Sequence, residues 1–219
     1  MRKELFWTAI ASTGIAIINL IIYTVLACLN FVEMRYLSYL FLIGFVVCAW
    51  LPFLLNLLFK MKIGLTISIC YQVFLILSML VGSLWRVYSL WTPYDKIIHF
   101  ASGIIIALIG YILFKESKHS KLSLPWLFVL TFSIALMCGA VWEIWEFSTD
   151  IIMNLNSQLT EGLVGRLAIM DTMYDIICDC CGGFIGAVVS VVLEWNKRKN
   201  TNSAISTNEE NSNETEVLK

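Results

Sequence analysis

Six residues of this 219-residue chain, Asp95, His99, Glu143, Glu146, Asp175 and Asp179, stand inside or at the ends of long apolar segments. An ionisable group at the centre of a membrane helix costs about 2.5 to 3.5 kcal/mol by insertion scales, so such groups mark a functional site unless packing accounts for them. Asp95 and His99 are four apart and share a helix face, where the carboxylate can accept one imidazole N–H. That pairing serves both metal-binding histidines and general bases. Glu143, Glu146 and Asp150 recur at i, i+3 and i+7 as one stripe near the C-terminal end of their segment, where the helix dipole disfavours negative charge. Asp171, Asp175 and Asp179 share another face, with Asp179 about 12 Å deeper than Asp171 at about 1.5 Å per residue. An N-terminal cap accounts for Asp95 or Asp171. It does not account for Asp179, nor for the glutamates.

The compensation these acids require defines the chemistry. On the side of the membrane assigned below as outer lie nine acids, Glu33, Asp95, Glu143, Glu146, Asp150, Glu161, Asp171, Asp175 and Asp179, against four cations, Arg35, Arg86, Lys96 and Arg166. Close carboxylates in a low dielectric cannot all stay ionised without a proton, a basic partner or a metal. Oxygen-rich sets suit Mg, Ca or Mn, and His99 extends the choice to Zn or Fe. The candidate metal ligands are His99, Glu143, Glu146, Asp175 and Asp179. The candidate catalytic set adds Asp95, and Arg86, Lys96, Arg166 and Asp171 are the neighbouring charged groups.

These residues must be positioned by membrane helices. Hydrophobic residues make up 59% of the chain, charged residues 14%, and mean hydropathy is +0.80, which excludes an ordinary soluble domain or a nucleic-acid-binding protein. Apolar stretches over about 7–29, 36–59, 64–84, 97–114, 124–147 and 172–194 each approach or exceed the roughly 20 residues that cross a bilayer. The expected fold is therefore an all-α, polytopic bundle of six transmembrane helices. Arg2, Lys3, Lys60, Lys62, Lys115, Lys118, Lys121, Lys197, Arg198 and Lys199 fall on one side, against the four cations of the other. The positive-inside rule then places both termini in the cytoplasm and the acids at the outer surface. Residues 200–219, rich in Asn, Ser, Thr and Glu, read as an unfolded cytoplasmic tail. The seven cysteines are scattered through apolar segments and read as small filler rather than a disulfide framework or a thiolate metal site.

From Tyr94 to Gly186, about half the chain, the motifs resemble those of bacterial VanZ-like membrane proteins and, more closely, the YjdF-type inner-membrane proteins. The resemblance rests on Asp95-Lys96-x-x-His99-Phe100, on Trp142-Glu143-x-x-Glu146-Phe147, and on Asp171-Thr172-Met173-Tyr174-Asp175 followed by Asp179-x-x-Gly182-x-x-x-Gly186. Paired Glu, and Asp179 where the VanZ-like pattern often has Asn, place the chain nearer the YjdF-type branch. The resemblance implies a multi-pass protein of the bacterial cytoplasmic membrane. Through the VanZ-like side it also implies a link to low-level resistance to teicoplanin-type glycopeptides, whose targets lie on the outer surface.

Three functions fit these residues. One is an outward-facing carboxylate and histidine pocket that binds or modifies a cell-envelope component, an outer-leaflet lipid or a cell-wall unit, with a divalent metal as its possible cofactor. A second is a proton- or cation-coupled transporter, since membrane Asp, Glu and His chains relay protons. The third is a polar network that only joins helices. The sequence contains no nucleotide loop, nucleophile elbow or HExxH pair.

Overall fold

A computed structural model describes residues 2–31, 36–116, 122–153, 156–158 and 164–217. Glu33, Arg35, Lys118, Lys121 and Glu161 of the charge count above lie outside the described residues. The helices are α1 (Arg2–Cys28), α2 (Tyr36–Ala49), α3 (Leu51–Leu58), α4 (Leu65–Leu75), α5 (Val87–Leu90), α6 (Pro93–Glu116), α7 (Leu124–Met153) and α8 (Arg166–Val217). A π-helical segment, Ile76–Leu84, continues α4. Together they make six helical runs long and apolar enough to cross a membrane: α1, α2 with α3, α4 with its π-helical continuation, α6, α7 and α8. Among the described residues the fold is all helical, as expected.

The second run breaks where its sequence requires it. Pro52 has no N–H to give the Cys48 carbonyl one turn back, so the helix ends at Ala49 and resumes at Leu51. In a membrane interior the freed acceptor needs another donor. The Tyr71 hydroxyl donates to it at 3.1 Å, and the Gln72 amide donates to the adjacent Ala49 carbonyl at 2.7 Å. Gln72 in turn accepts from Ser12 at 2.7 Å, which ties α1, α2 and α4 together without a charge. Tyr71→Phe should therefore destabilise the protein by about 1 to 3 kcal/mol, the usual cost of a buried unsatisfied carbonyl. Pro52→Ala restores the missing N–H and should remove most of that cost. Additive losses of thermal stability in detergent for the two substitutions would overturn this account.

Around that polar column Ala16, Tyr23, Leu42, Phe45, Ala49, Leu75, Leu80 and Leu84 form an apolar core. The second half packs more closely. On α8, Gly182 and Gly186 are buried against α6: a Cβ at Gly182 would meet the Phe100 carbonyl oxygen, and one at Gly186 would come within 2.7 Å of Ala107 Cβ. The small-xxx-small step thus brings the two backbones together, as its spacing predicts. All seven cysteines are free.

The helical backbone of α8 continues to Val217, past Asn200 where composition predicts an unfolded tail. Lengthening an existing helix avoids the unfavourable nucleation step, so polar residues can follow an apolar span in the same conformation.

Candidate functional site

Pro93 opens α6, its fixed φ suiting a first helical turn, and Asp95 in that turn meets the positive end of the helix dipole. From this start Asp95, Lys96, His99 and Ser102 face α8. Close contact between α6 and α8 then carries Asp171, Asp175 and Asp179 to the same place, and α7 adds Glu143. The structure thus gathers these residues from three helices at one end of the bundle. Asp175 and Asp179 are each only 1% exposed and Glu143 4%, while Asp95 and His99 are also buried.

His99 is the hub. Its Nδ1 lies 3.0 Å from Asp179 Oδ2. A carboxylate only accepts, so this bond places the proton on Nδ1 and leaves Nε2 its lone pair in the neutral ring. Nε2 faces Asp95 Oδ1, Glu143 Oε1 and Asp175 Oδ1, each at 3.8 Å. The partner of the ring N–H is therefore Asp179 on α8, not the Asp95 that helical spacing within α6 suggests. Ser102 helps fix that partner, because its hydroxyl is 2.7 Å from both Asp179 Oδ1 and the His99 carbonyl, which share its one proton. Gly139 on α7 leaves room for the Asp179 carboxylate, whose Cγ a Cβ there would approach to 2.7 Å.

Lys96 makes the ion pairs. Its Nζ is 3.0 Å from Asp95 Oδ2 and 2.8 Å from Asp175, and it makes a very short contact with Asp171 Oδ1. Both Asp175 oxygens lie 2.8 Å from this ammonium; only Oδ2 has hydrogen-bond geometry, and the buried Oδ1 also stands 3.8 Å from His99 Nε2. Both Glu143 oxygens are likewise buried without a hydrogen bond, although the Thr172 side chain is near enough to interact with them. Thr172 itself accepts from the Gln158 amide at 2.8 Å.

The other candidates are placed differently. Glu146 accepts from the Trp142 indole at 2.8 Å. Asp150 accepts from the backbone N–H groups of Ser157 and Gln158, at 2.7 and 3.0 Å, and so secures the end of α7 instead of joining the cluster. Arg86 and Arg166 are exposed and form no ion pair with the cluster among the described residues. Arg86 has a positive φ of 61°, at the turn between the π-helical segment and α5.

Some site residues escaped the sequence reading. Ser102 is three residues after His99, and helical spacing alone could have found it. Tyr88 could not be found that way, because it lies in a short turn helix with no periodicity. Its ring packs against Tyr94 with centroids 5.5 Å apart, in space that a side chain on Gly82 would fill. Burial first, then the Asp95, Tyr94, Glu146 and Asp175 charges, push the Tyr88 phenol well above its ordinary value and keep its proton on.

The donor set suits a cation. Asp95, His99 and Asp175 each offer one ligand atom, all within 4.8 Å of one another. Donors about 2.2 Å from one ion stand about 3.6 Å apart in a tetrahedral arrangement, close to the 3.8 Å separations at His99 Nε2.

Among known proteins, an uncharacterized protein of Thermotoga maritima is 35% identical over 98 residues, which are 44% of this chain and 46% of that protein. The match therefore spans about half the length of that relative. No solved structure matches. Residues 15–196 match the family described as Predicted membrane protein (DUF2238), and the protein belongs to that family.

Proposed function

We propose that Asp95, His99 and Asp175 hold a divalent cation, with Glu143 beside it, and that the protein uses this centre to bind or modify a component of the bacterial cell envelope. The observation that carries the reading is the double orientation of His99: Asp179 fixes Nδ1 while Nε2 faces three carboxylate oxygens at 3.8 Å. An imidazole held by a carboxylate behind it is the usual support of a metal ligand. One of the facing acids, Glu143, also has both oxygens buried without a hydrogen bond. A cation would satisfy them. Once bound it would polarise a substrate oxygen or activate water, and Glu143, with both oxygens free to accept, would take the proton.

The setting follows from charge and aromatic residues. Ten Lys and Arg on one side against four on the other support an outward-facing site in a bacterial cytoplasmic membrane. Trp85, Trp91, Trp142 and Trp145, all exposed, suit a membrane interface near the cluster. The VanZ-like resemblance supports an envelope component as ligand. A second reading, a polar network that only fastens helices, is favoured by the Lys96 pairs with Asp95, Asp171 and Asp175.

Metal content separates the two. Protein purified in mild detergent, analysed by mass spectrometry, should carry stoichiometric metal that is lost in folded His99→Ala and Asp175→Asn variants. A wild-type protein that is metal-free, and that takes up neither Mn²⁺ nor Zn²⁺ on titration, would remove the metal centre and leave the network.

A further inference from the structure

Asp95 and Asp175 each face two places at once. Asp95 turns Oδ1 to His99 Nε2 at 3.8 Å and Oδ2 to Lys96 Nζ at 3.0 Å. Asp175 has both oxygens 2.8 Å from Lys96 Nζ, and its Oδ1 is in addition 3.8 Å from the same Nε2. A cation held at Nε2 and the Lys96 ammonium would be bridged by the same two carboxylates, as the ions of a two-metal site are, which stand about 3.5 to 4 Å apart. In this chain an ammonium fills one of the two places. Asp171 completes that place, since its Oδ1 contacts Lys96 and its backbone carbonyl is 3.4 Å from the same nitrogen.

We propose that Lys96 is a built-in second cation, which holds the site to one metal ion where its carboxylates would otherwise take two. The inference rests on the metal centre proposed above. The second place has three carboxylate donors, Asp95, Asp171 and Asp175, and a carbonyl oxygen, an all-oxygen set suited to Mn²⁺ or Mg²⁺. The first place has His99 as well. An ammonium offsets one of these negative charges, and unlike a second ion it cannot dissociate from the chain. Its charge is delivered on a side chain of fixed reach, so the ammonium can neither enter the first place nor bind a substrate oxygen as a second metal would.

The test uses Mn²⁺ alone, with the full chain in detergent, read by stoichiometry and by electron paramagnetic resonance. Wild type should bind one Mn²⁺ per chain and give the spectrum of an isolated ion. Lys96→Met and Lys96→Gln should bind two, with the broadened spectrum of a coupled pair. Adding Asp171→Asn to either variant should return the stoichiometry to one. One ion in folded Lys96→Met and Lys96→Gln would overturn the inference and leave the single-metal centre standing. No ion in wild type would instead overturn the metal centre itself. Should both Lys96 variants fail to fold, Asp171→Asn alone decides. It should keep the single Mn²⁺ with affinity within about threefold of wild type, because Asp171 serves the ammonium's place only. Loss of that ion would overturn the division of the site into two places.

Discussion

Gly182→Ala is expected to be the most damaging single-methyl change in the protein. The added Cβ would meet the Phe100 carbonyl oxygen and approach the carbonyl carbon to 2.9 Å, so the obstacle is backbone and no side-chain rotation relieves it. Overpacking commonly costs about 1 to 3 kcal/mol, and a contact that can only be relieved by moving a whole helix belongs at or above the top of that range. Separation of α6 from α8 also pulls apart His99–Asp179 and Lys96–Asp175. Gly14→Ala is the matched control, because a Cβ at Gly14 in α1 meets nothing within 4 Å. There the gain in helix propensity should stabilise the protein by up to about 1 kcal/mol. The fraction surviving a heating series in detergent, read by size-exclusion chromatography, should fall sharply for the first and hold or rise for the second. Equal behaviour of the two would mean that close backbone packing does not hold this bundle together.

Asp179→Asn is expected to leave the fold standing and to weaken Mn²⁺ binding about 10- to 100-fold, the usual loss when a metal-bound histidine is deprived of its supporting carboxylate. Asp179 touches His99 through Nδ1, on the far side of the ring from the three facing acids. On the metal centre proposed above it would act through orientation and tautomer, not as a ligand. Two further variants follow from the same geometry. Ser102→Ala removes the hydroxyl 2.7 Å from Asp179 Oδ1 and should cause a smaller loss in the same direction. Gly139→Ala places a methyl against the Asp179 carboxylate and should reproduce much of the Asp179→Asn effect without touching a polar group. Isothermal titration with Mn²⁺ measures all three against Glu146→Gln, whose parent side chain pairs with Trp142 and should change little. If Asp179→Asn abolished binding while Ser102→Ala and Gly139→Ala were silent, Asp179 would be a direct ligand and the orientation proposed for His99 would be wrong.

The residues of the cluster were legible because they break a rule. Glu143 near the C-terminal end of an apolar helix, and Asp179 well inside another, have no local reason for their charge, so they stand out before any contact is known. Six spans were legible for the converse reason, since long apolar runs in a polar-terminated chain have few other uses. The partner of each charge was less legible, because it is chosen across helices. Spacing within α6 pairs His99 with Asp95, whereas the close approach of α8 at Gly182 and Gly186 offers Asp179 instead. Arg86 and Arg166 look like counter-charges by position along the chain, yet both are exposed, and among the described residues Lys96 alone reaches three acids. The π-helical segment and the turn that presents Tyr88 left no periodic mark at all. A widened helix and a tight one share the same apolar composition, so only packing separates them.

The cluster is assembled from α6, α7 and α8, which biosynthesis delivers one after another. Helices are made in chain order and settle against one another after entering the membrane. Lys96 and His99 arrive with Asp95 as their nearest acid, and Glu143 follows on α7. The counterparts on α8, Asp171, Asp175 and Asp179, come last. Until then the ring N–H of His99 lacks its acceptor and Lys96 lacks two of its three carboxylates. Docking of α8 is thus the step that gives the His99 N–H and the Lys96 ammonium their acceptors. A nascent chain stalled before Arg166 would hold the His99 N–H and most of the Lys96 ammonium's contacts without acceptors at membrane depth.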